Sequence, residues 1–309
     1  MAYSIATRVA AAQTAFALDY PLLIGQMNDL KIGADVQWRI NGDSTGAADT
    51  NASFPERRAI DRKAVSRTKP AVSRTANYLV FGNAGTMSPI DIDTVGIIGH
   101  NLYSAGGGSC DLDIQIADDV DFTVNLLTIA SWNGGVEITS DRRLLATNLP
   151  MSAPAHRAYR NVQHIRAVFT DAGAGEIFEV GELVLGASHV MRRGPQHPMV
   201  YDDRTGADFD VFEPEDGDSS VYVRSHGRWN QPFEFRFTTV AEADPIRSFW
   251  DDCAGKAGLL VPRPSSAPNE AYLCSWPPPG LMIAGARNPT HSRYKLLTSE
   301  RKPFYSSEV

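Results

Sequence analysis

The clearest pattern in the chain is the alternation of Cys110, Leu112, Ile114 and Ile116 with Asp111, Asp113 and Gln115. A period of two puts the apolar set on one face of a pleated strand and the polar set on the other. This segment therefore predicts an antiparallel strand with one wet face. Tyr78 to Phe81, stopped by Gly82-Asn83-Ala84-Gly85, and the β-branched run within Ile90 to Leu102 predict two more strands. Val162 to Phe169 and Ile177 to Leu185, separated by Asp171-Ala172-Gly173-Ala174-Gly175, predict a hairpin. Farther on, Val221 to Arg224, Phe233 to Phe237 and Ala271 to Trp276 read as strands, the last running into Pro277-Pro278-Pro279-Gly280. In this second half helical spacing is clear once, at Ala243, Ile246, Phe249, Trp250 and Cys253, behind a Thr239 cap and ahead of Gly255 and Gly258. The polar tail after Tyr294 is expected to be ordered only by a neighbour.

Short strands parted by turn residues, with few helical stretches between them, predict an all-β fold class rather than βαβ repeats. No period of 20 to 50 residues recurs, which excludes a solenoid or propeller. The chain of 309 residues is long enough for two domains. The Pro- and Arg-containing stretch Met191 to Pro198 is the best linker. The expected layout is a β-sandwich over 1–190, a linker over 191–199, and a smaller β-domain with one helix and a polar tail over 200–309. Within the first domain, residues 1–75 remain unassigned.

Charge changes this picture little. The chain carries 29 Lys and Arg against 36 Asp and Glu, a net charge of −7, which does not suit a dedicated nucleic-acid binder. Within residues 1–75, however, ten basic residues face seven acidic ones, and most of the excess falls between Arg57 and Arg74. That segment reads as a basic loop; Arg57, Arg58, Arg62 and Lys63 are candidates for gripping an acidic neighbour, although a solvated loop is the commoner outcome. No apolar run is long enough to span a membrane, and no secretory leader is read at the N-terminus. The three cysteines are far apart, so at most one disulfide is expected, and a reducing compartment is the default.

Candidate chemistry is sparse. Gly42-Asp43-Ser44-Thr45-Gly46 matches a nucleophile elbow formally, but no amphipathic helix follows it, so a turn-rich loop is expected there. None of the seven histidines pairs with a second ligand at helical spacing, and no metal or other cofactor is expected. The carboxylates from Asp208 to Asp218 suit a hard cation by type but not by spacing, so a strand entering an acidic turn is preferred. His100 and Asn101 follow an apolar run at a strand end, where a polar pair can face a ligand or, more commonly, satisfy local backbone. Trp132, before Asn133-Gly134-Gly135, offers a ring that can stack on a sugar at a turn or pack against a core.

The order of Ile92 to Leu102, Cys110 to Ile116, Tyr159 to Arg166 and Ile177 to Gly186 resembles the galactose-binding-like jelly-roll modules of tail-tip proteins in tailed bacteriophages. The resemblance covers residues 76–186 well and 220–276 loosely, and the first 75 residues match nothing in it. It implies a non-enzymatic, distal-tail-like baseplate component of the virion tail, made in the host cytoplasm. Its partners would be other tail proteins, namely tail tube, hub and fibres, and it would form a homo-oligomeric ring joining the tail tube to host-facing parts. The rival expectation is a carbohydrate-binding module for host-surface glycan, with His100, Asn101, Trp132 and the loop Gly106 to Ser109 holding the sugar. A polysaccharide-degrading enzyme would need two close carboxylates and is the least favoured class.

Overall fold

The computed structural model describes residues 22–26, 36–42, 46–61, 66–81, 92–105, 109–141, 143–146, 162–170, 177–190, 208–212, 220–225, 230–237, 249, 258–261, 264, 272–275 and 292–300. They form an all-β fold, as expected. One sheet has five strands: β2 (Val36–Arg39), β3 (Ala76–Phe81), β5 (Asp111–Ala117), β6 (Leu127–Trp132) and β8 (His164–Thr170), in the order β2-β3-β8-β5-β6. The other contains β1 (Leu22–Gln26), β4 (Thr94–His100), β7 (Arg143–Ala146) and β9 (Val180–Val190), in the order β1-β9-β4-β7. All their pairings are antiparallel.

One buried cluster joins the two sheets into a sandwich. It takes Val36, Trp38, Leu79, Phe81, Leu112, Ile114, Ile116 and Phe169 from one side and Val95, Ile97, Leu144, Val180, Leu183 and Leu185 from the other. The alternation in β5 survives intact: Leu112, Ile114 and Ile116 are buried while Asp111, Asp113 and Gln115 are half-buried on the outer face. By contrast β4 is buried at every position, which explains its continuous apolar run. Ile24, Val184, Leu259, Leu260 and Val261 of this sheet, with Phe249, are buried as well but stand outside the inter-sheet cluster, and β9 is buried at every position from 180 to 186. Both faces of β4 and β9 are thus covered.

The structure corrects several expectations. The segments around β8 and β9 do not form a hairpin: β8 pairs with β3 and β5, and β9 pairs with β1 and β4 in the opposite sheet. A turn signal shows only where the chain bends. The partner is chosen by whichever face must be buried. From residues 1–75, left unassigned above, come β1 and β2, which supply a strand to each sheet.

In the second half, β10 (Asp208–Phe212) and β11 (Ser220–Ser225) pair with each other, and β10 is the strand expected at the start of the acidic segment. β12 (Asn230–Phe237), β13 (Gly258–Val261), β14 (Tyr272–Ser275) and β15 (Ser292–Glu300) extend the larger sheet in the order β12-β15-β14-β13-β1. Because β13 hydrogen-bonds to β1, this sheet draws strands from both sides of the expected linker. The polar tail, expected to need a neighbour for order, begins within a nine-residue strand paired with β12, and residues 301–309 lie outside the described residues. The linker 191–199 and the helix expected after Thr239, Phe249 excepted, lie outside the described residues. Phe249 is helical, fully buried and edge-on to His189.

Candidate functional site

Strand register defines two ends of the sandwich. Ala76, Thr170 and Asp111 are aligned at one end, where the chain leaves β2 and re-enters β3. The end of β4 meets the start of β9 there, His100 pairing with Val180. Residues 101–105 and 109–110, the 133–141 connection and Thr68, which bridges to Val180, meet at this end, while Gly106 to Gly108 of the loop expected to hold a sugar lie outside the described residues. At the opposite end β5 turns into β6 through residues 118–126.

The convergent end is tied together by side chains reaching across sequence. Asn101 Nδ2 donates to the Ile177 carbonyl at 2.9 Å, and its Oδ1 accepts from the Glu179 amide at 2.6 Å. Asp141 Oδ1 accepts from the amides of Tyr103 and Ser104 at 2.8 and 3.0 Å, fixing the one-turn helix α1 (Leu102–Ala105). Thr68 and Val180 exchange both backbone hydrogen bonds, at 2.8 and 3.0 Å. Glu179 accepts from Arg67 at 2.7 Å and from Lys69 at 3.2 Å. Lys69 also sits 3.9 Å above the centre of the Phe54 ring, with Arg58 over the same ring at 5.6 Å. Gly134 presses onto the 109–110 backbone, and its amide donates to Asp111 Oδ1 at 2.7 Å.

The residues expected to hold a sugar are placed otherwise. His100 is fully buried; its Nδ1 accepts from the Leu102 amide at 3.3 Å and its Nε2 has no hydrogen-bond partner. Burial, partly offset by nearby Asp141, lowers its pKa to about 4, with Arg67 acting in the same direction as burial. Asn101 spends its amide on backbone, as above. Trp132 lies in the inter-sheet cluster, opposite Leu112 in register, and presents no face to a ligand. Of the basic candidates, Arg57 is exposed and Arg58 is half-buried on a 3-10 turn, Glu56–Ile60, while Arg62 and Lys63 lie outside the described residues. Arg58 donates to the Arg67 carbonyl at 3.2 Å, and Arg74 stands 3.6 Å from Asp49. Much of this basic segment is therefore occupied within its own chain. Residues 43–45 of the Gly-x-Ser-x-Gly match lie outside the described residues, and no cluster of three metal-ligating side chains occurs among the described ones.

What sequence reading missed is Tyr103. It projects at 46% exposure from α1, on a turn fixed by Asp141, at the end where the loops converge. Val136, 69% exposed, projects from the neighbouring connection, where Asn133 O accepts from the amides of residues 136, 137 and 138, and Glu137 accepts from the Asn133 amide. The only sequence signal for Tyr103 is an aromatic three residues past the end of an apolar strand.

No protein-family model and no curated protein matches this sequence. Solved structures similar to it include carbohydrate-binding modules. Chitosan-binding module 1 of a chitosanase/glucanase from Paenibacillus sp. IK-5 has 14% identity and a TM-score of 0.35, over 51% of this chain and 98% of that one. A family 32 module from Clostridium perfringens, solved with GalNAc-β-1,3-galactose, has 12% identity and a TM-score of 0.33, over 53% and 99%. Another from a family 31 glycoside hydrolase of the same organism has 11% identity and a TM-score of 0.34, over 51% and 97%. At these scores the all-β assignment rests on the strand order and the shared core themselves.

Proposed function

We propose that this chain is a non-catalytic recognition module that binds carbohydrate at the convergent loop end of its sandwich. The observation that carries the reading is Tyr103: a half-exposed aromatic ring on a turn whose amides are already fixed by Asp141. An aromatic face complements the apolar C–H face of a pyranose, and a prefixed turn loses little freedom when the sugar arrives. Exposed polar groups of Asn133 and Glu137 on the adjoining connection supply hydrogen-bonding partners for hydroxyls.

The test is a glycan array followed by calorimetric titration of the best ligand. Tyr103→Ala is expected to weaken binding at least tenfold, about 1.4 kcal/mol, with the unfolding midpoint unchanged. Trp132→Phe should leave affinity within about twofold, a change of about 0.4 kcal/mol. Retention of full affinity in Tyr103→Ala would remove this reading.

A second reading, assembly into a phage-tail ring, needs a contact between subunits, for which a different observation offers a surface. At the opposite end, Val124 and Leu126 are nearly half exposed on a loop held by Asp119, which accepts from Thr123 and Val124, and by Asp118, which accepts from Asn125. A neighbouring subunit would cover those two side chains. Antibody-labelled particles viewed by electron microscopy decide it: label clustered at tail tips supports the ring, and intact tails without label exclude it.

A further inference from the structure

His100 occupies an unusual position for a titratable group. It closes β4 directly behind Gly99, which adopts φ +68°, and it is sealed from solvent. With Nδ1 accepting the Leu102 amide, the neutral ring carries its proton on Nε2, where no acceptor lies within reach. Leu102 is the first residue of α1, whose next two amides are held by Asp141. The Asp141 backbone carbonyl in turn accepts from the His100 amide at 3.2 Å. One imidazole nitrogen and one carboxylate thus hold three successive amides of the turn that carries Tyr103.

We propose that His100 is an acid-sensitive latch for this turn. Neutral, it accepts the Leu102 amide and the turn is closed. Protonated at Nδ1, it turns an acceptor into a second donor facing that amide and places a charge in a dry site. The carboxylate that acts on this charge is Asp141, and pairing with it draws the carboxylate away from Tyr103 and Ser104. The other charges facing His100 oppose this only in part: Arg67 repels the imidazolium, while Arg67 and Lys69 are themselves neutralised by Glu179.

The direction follows from the depressed folded-state pKa. The closed turn prefers neutral His100, so the latch contributes fully above about pH 6.5 and loses strength progressively as the pH falls from there to about 4. One proton separates the closed and open states, so closure weakens by about tenfold per pH unit across that window. That opening releases a glycan rests on the function proposed above; the opening itself does not.

Amide exchange of the full chain, corrected for its intrinsic pH dependence, tests the latch. Between pH 7 and 4.5, protection at Leu102, Tyr103 and Ser104 is expected to fall by roughly 100-fold, while amides of β5 and β8 hold. In His100→Gln, which keeps an acceptor and does not titrate, that fall should vanish. A fall of the same size in the variant, or flat protection in the native chain, overturns the latch. Should the variant not fold, imidazole nitrogen shifts of native His100 decide: an unprotonated Nδ1 at pH 7, titrating together with the Leu102 amide, supports it. A His100 already protonated at pH 7, or titrating with no change at Leu102, overturns it. Turn opening without glycan binding would keep the latch and discard the glycan function.

Discussion

Replacing Trp38 with alanine is expected to lower unfolding stability by about 3–5 kcal/mol, read as a shift of the urea midpoint at constant slope. Trp38, on the edge strand β2, is fully buried between the sheets, its ring 5.5 Å from that of Phe169, which stacks in turn on Phe178 at 5.8 Å. Its Nε1 donates to Thr68 Oγ1 at 2.9 Å, and Thr68 Oγ1 donates to the Phe54 carbonyl at 3.1 Å. The substitution therefore removes one of the core's two tryptophans and also loosens the strap that carries Thr68 to Val180. Trp38→Phe keeps most of the volume but strands the Thr68 acceptor, so a loss of about 1–2 kcal/mol is expected for it. A loss of under about 1 kcal/mol in Trp38→Ala would mean that this strap and core are not as described.

The second large effect falls on Gly134. A Cβ there would stand 2.5 Å from the Ser109 carbonyl carbon and 2.7 Å from both the nitrogen and the oxygen of Cys110. These are backbone atoms, so no side chain can swing away. Either the 133–138 connection or the entry to β5 must move. Gly134→Ala is expected to cost about 2–3 kcal/mol and to lengthen the bond from the Gly134 amide to Asp111. Thermal unfolding and the Gly134 amide shift would both register it, whereas a native-like spectrum and midpoint would show that the connection has room to spare.

How much of this was legible in the sequence depended on whether the signal was local. The strand β5 was readable because one face is wet, so burial alternates and the period survives the bulge between Ile114 and Gln115. In β4 and β9 both faces are covered, and a continuous apolar run identifies a strand without saying which neighbours it takes. That is why two segments joined by a Gly-rich turn looked like a hairpin although the sheets separate them. With five and four residues, β1 and β2 are too short to show any period, so residues 1–75 looked unattached.

The site was less legible because its partners are remote. The basic segment reads as free charge until Glu179, 112 and 110 residues beyond Arg67 and Lys69, is folded against it. Trp132 looked like a turn residue because Asn133-Gly134-Gly135 follows it. Cross-strand register with Leu112 turns it inward all the same. For His100 and Asn101 the commoner outcome, satisfaction of local backbone, is the one realised. Tyr103 went unnoticed because exposure of a single aromatic leaves no periodic trace; only the capture of its amide by Asp141, 38 residues on, makes it a fixed platform.

Amide chemical-shift mapping of the full chain with the tightest oligosaccharide from the array tests the central claim most directly. Saturable shifts are predicted at residues 101–105 and 133–141, with the 118–126 loop unmoved. Saturable shifts confined to 118–126 or to the outer face of the five-stranded sheet, or no saturable shift with any glycan, would contradict it.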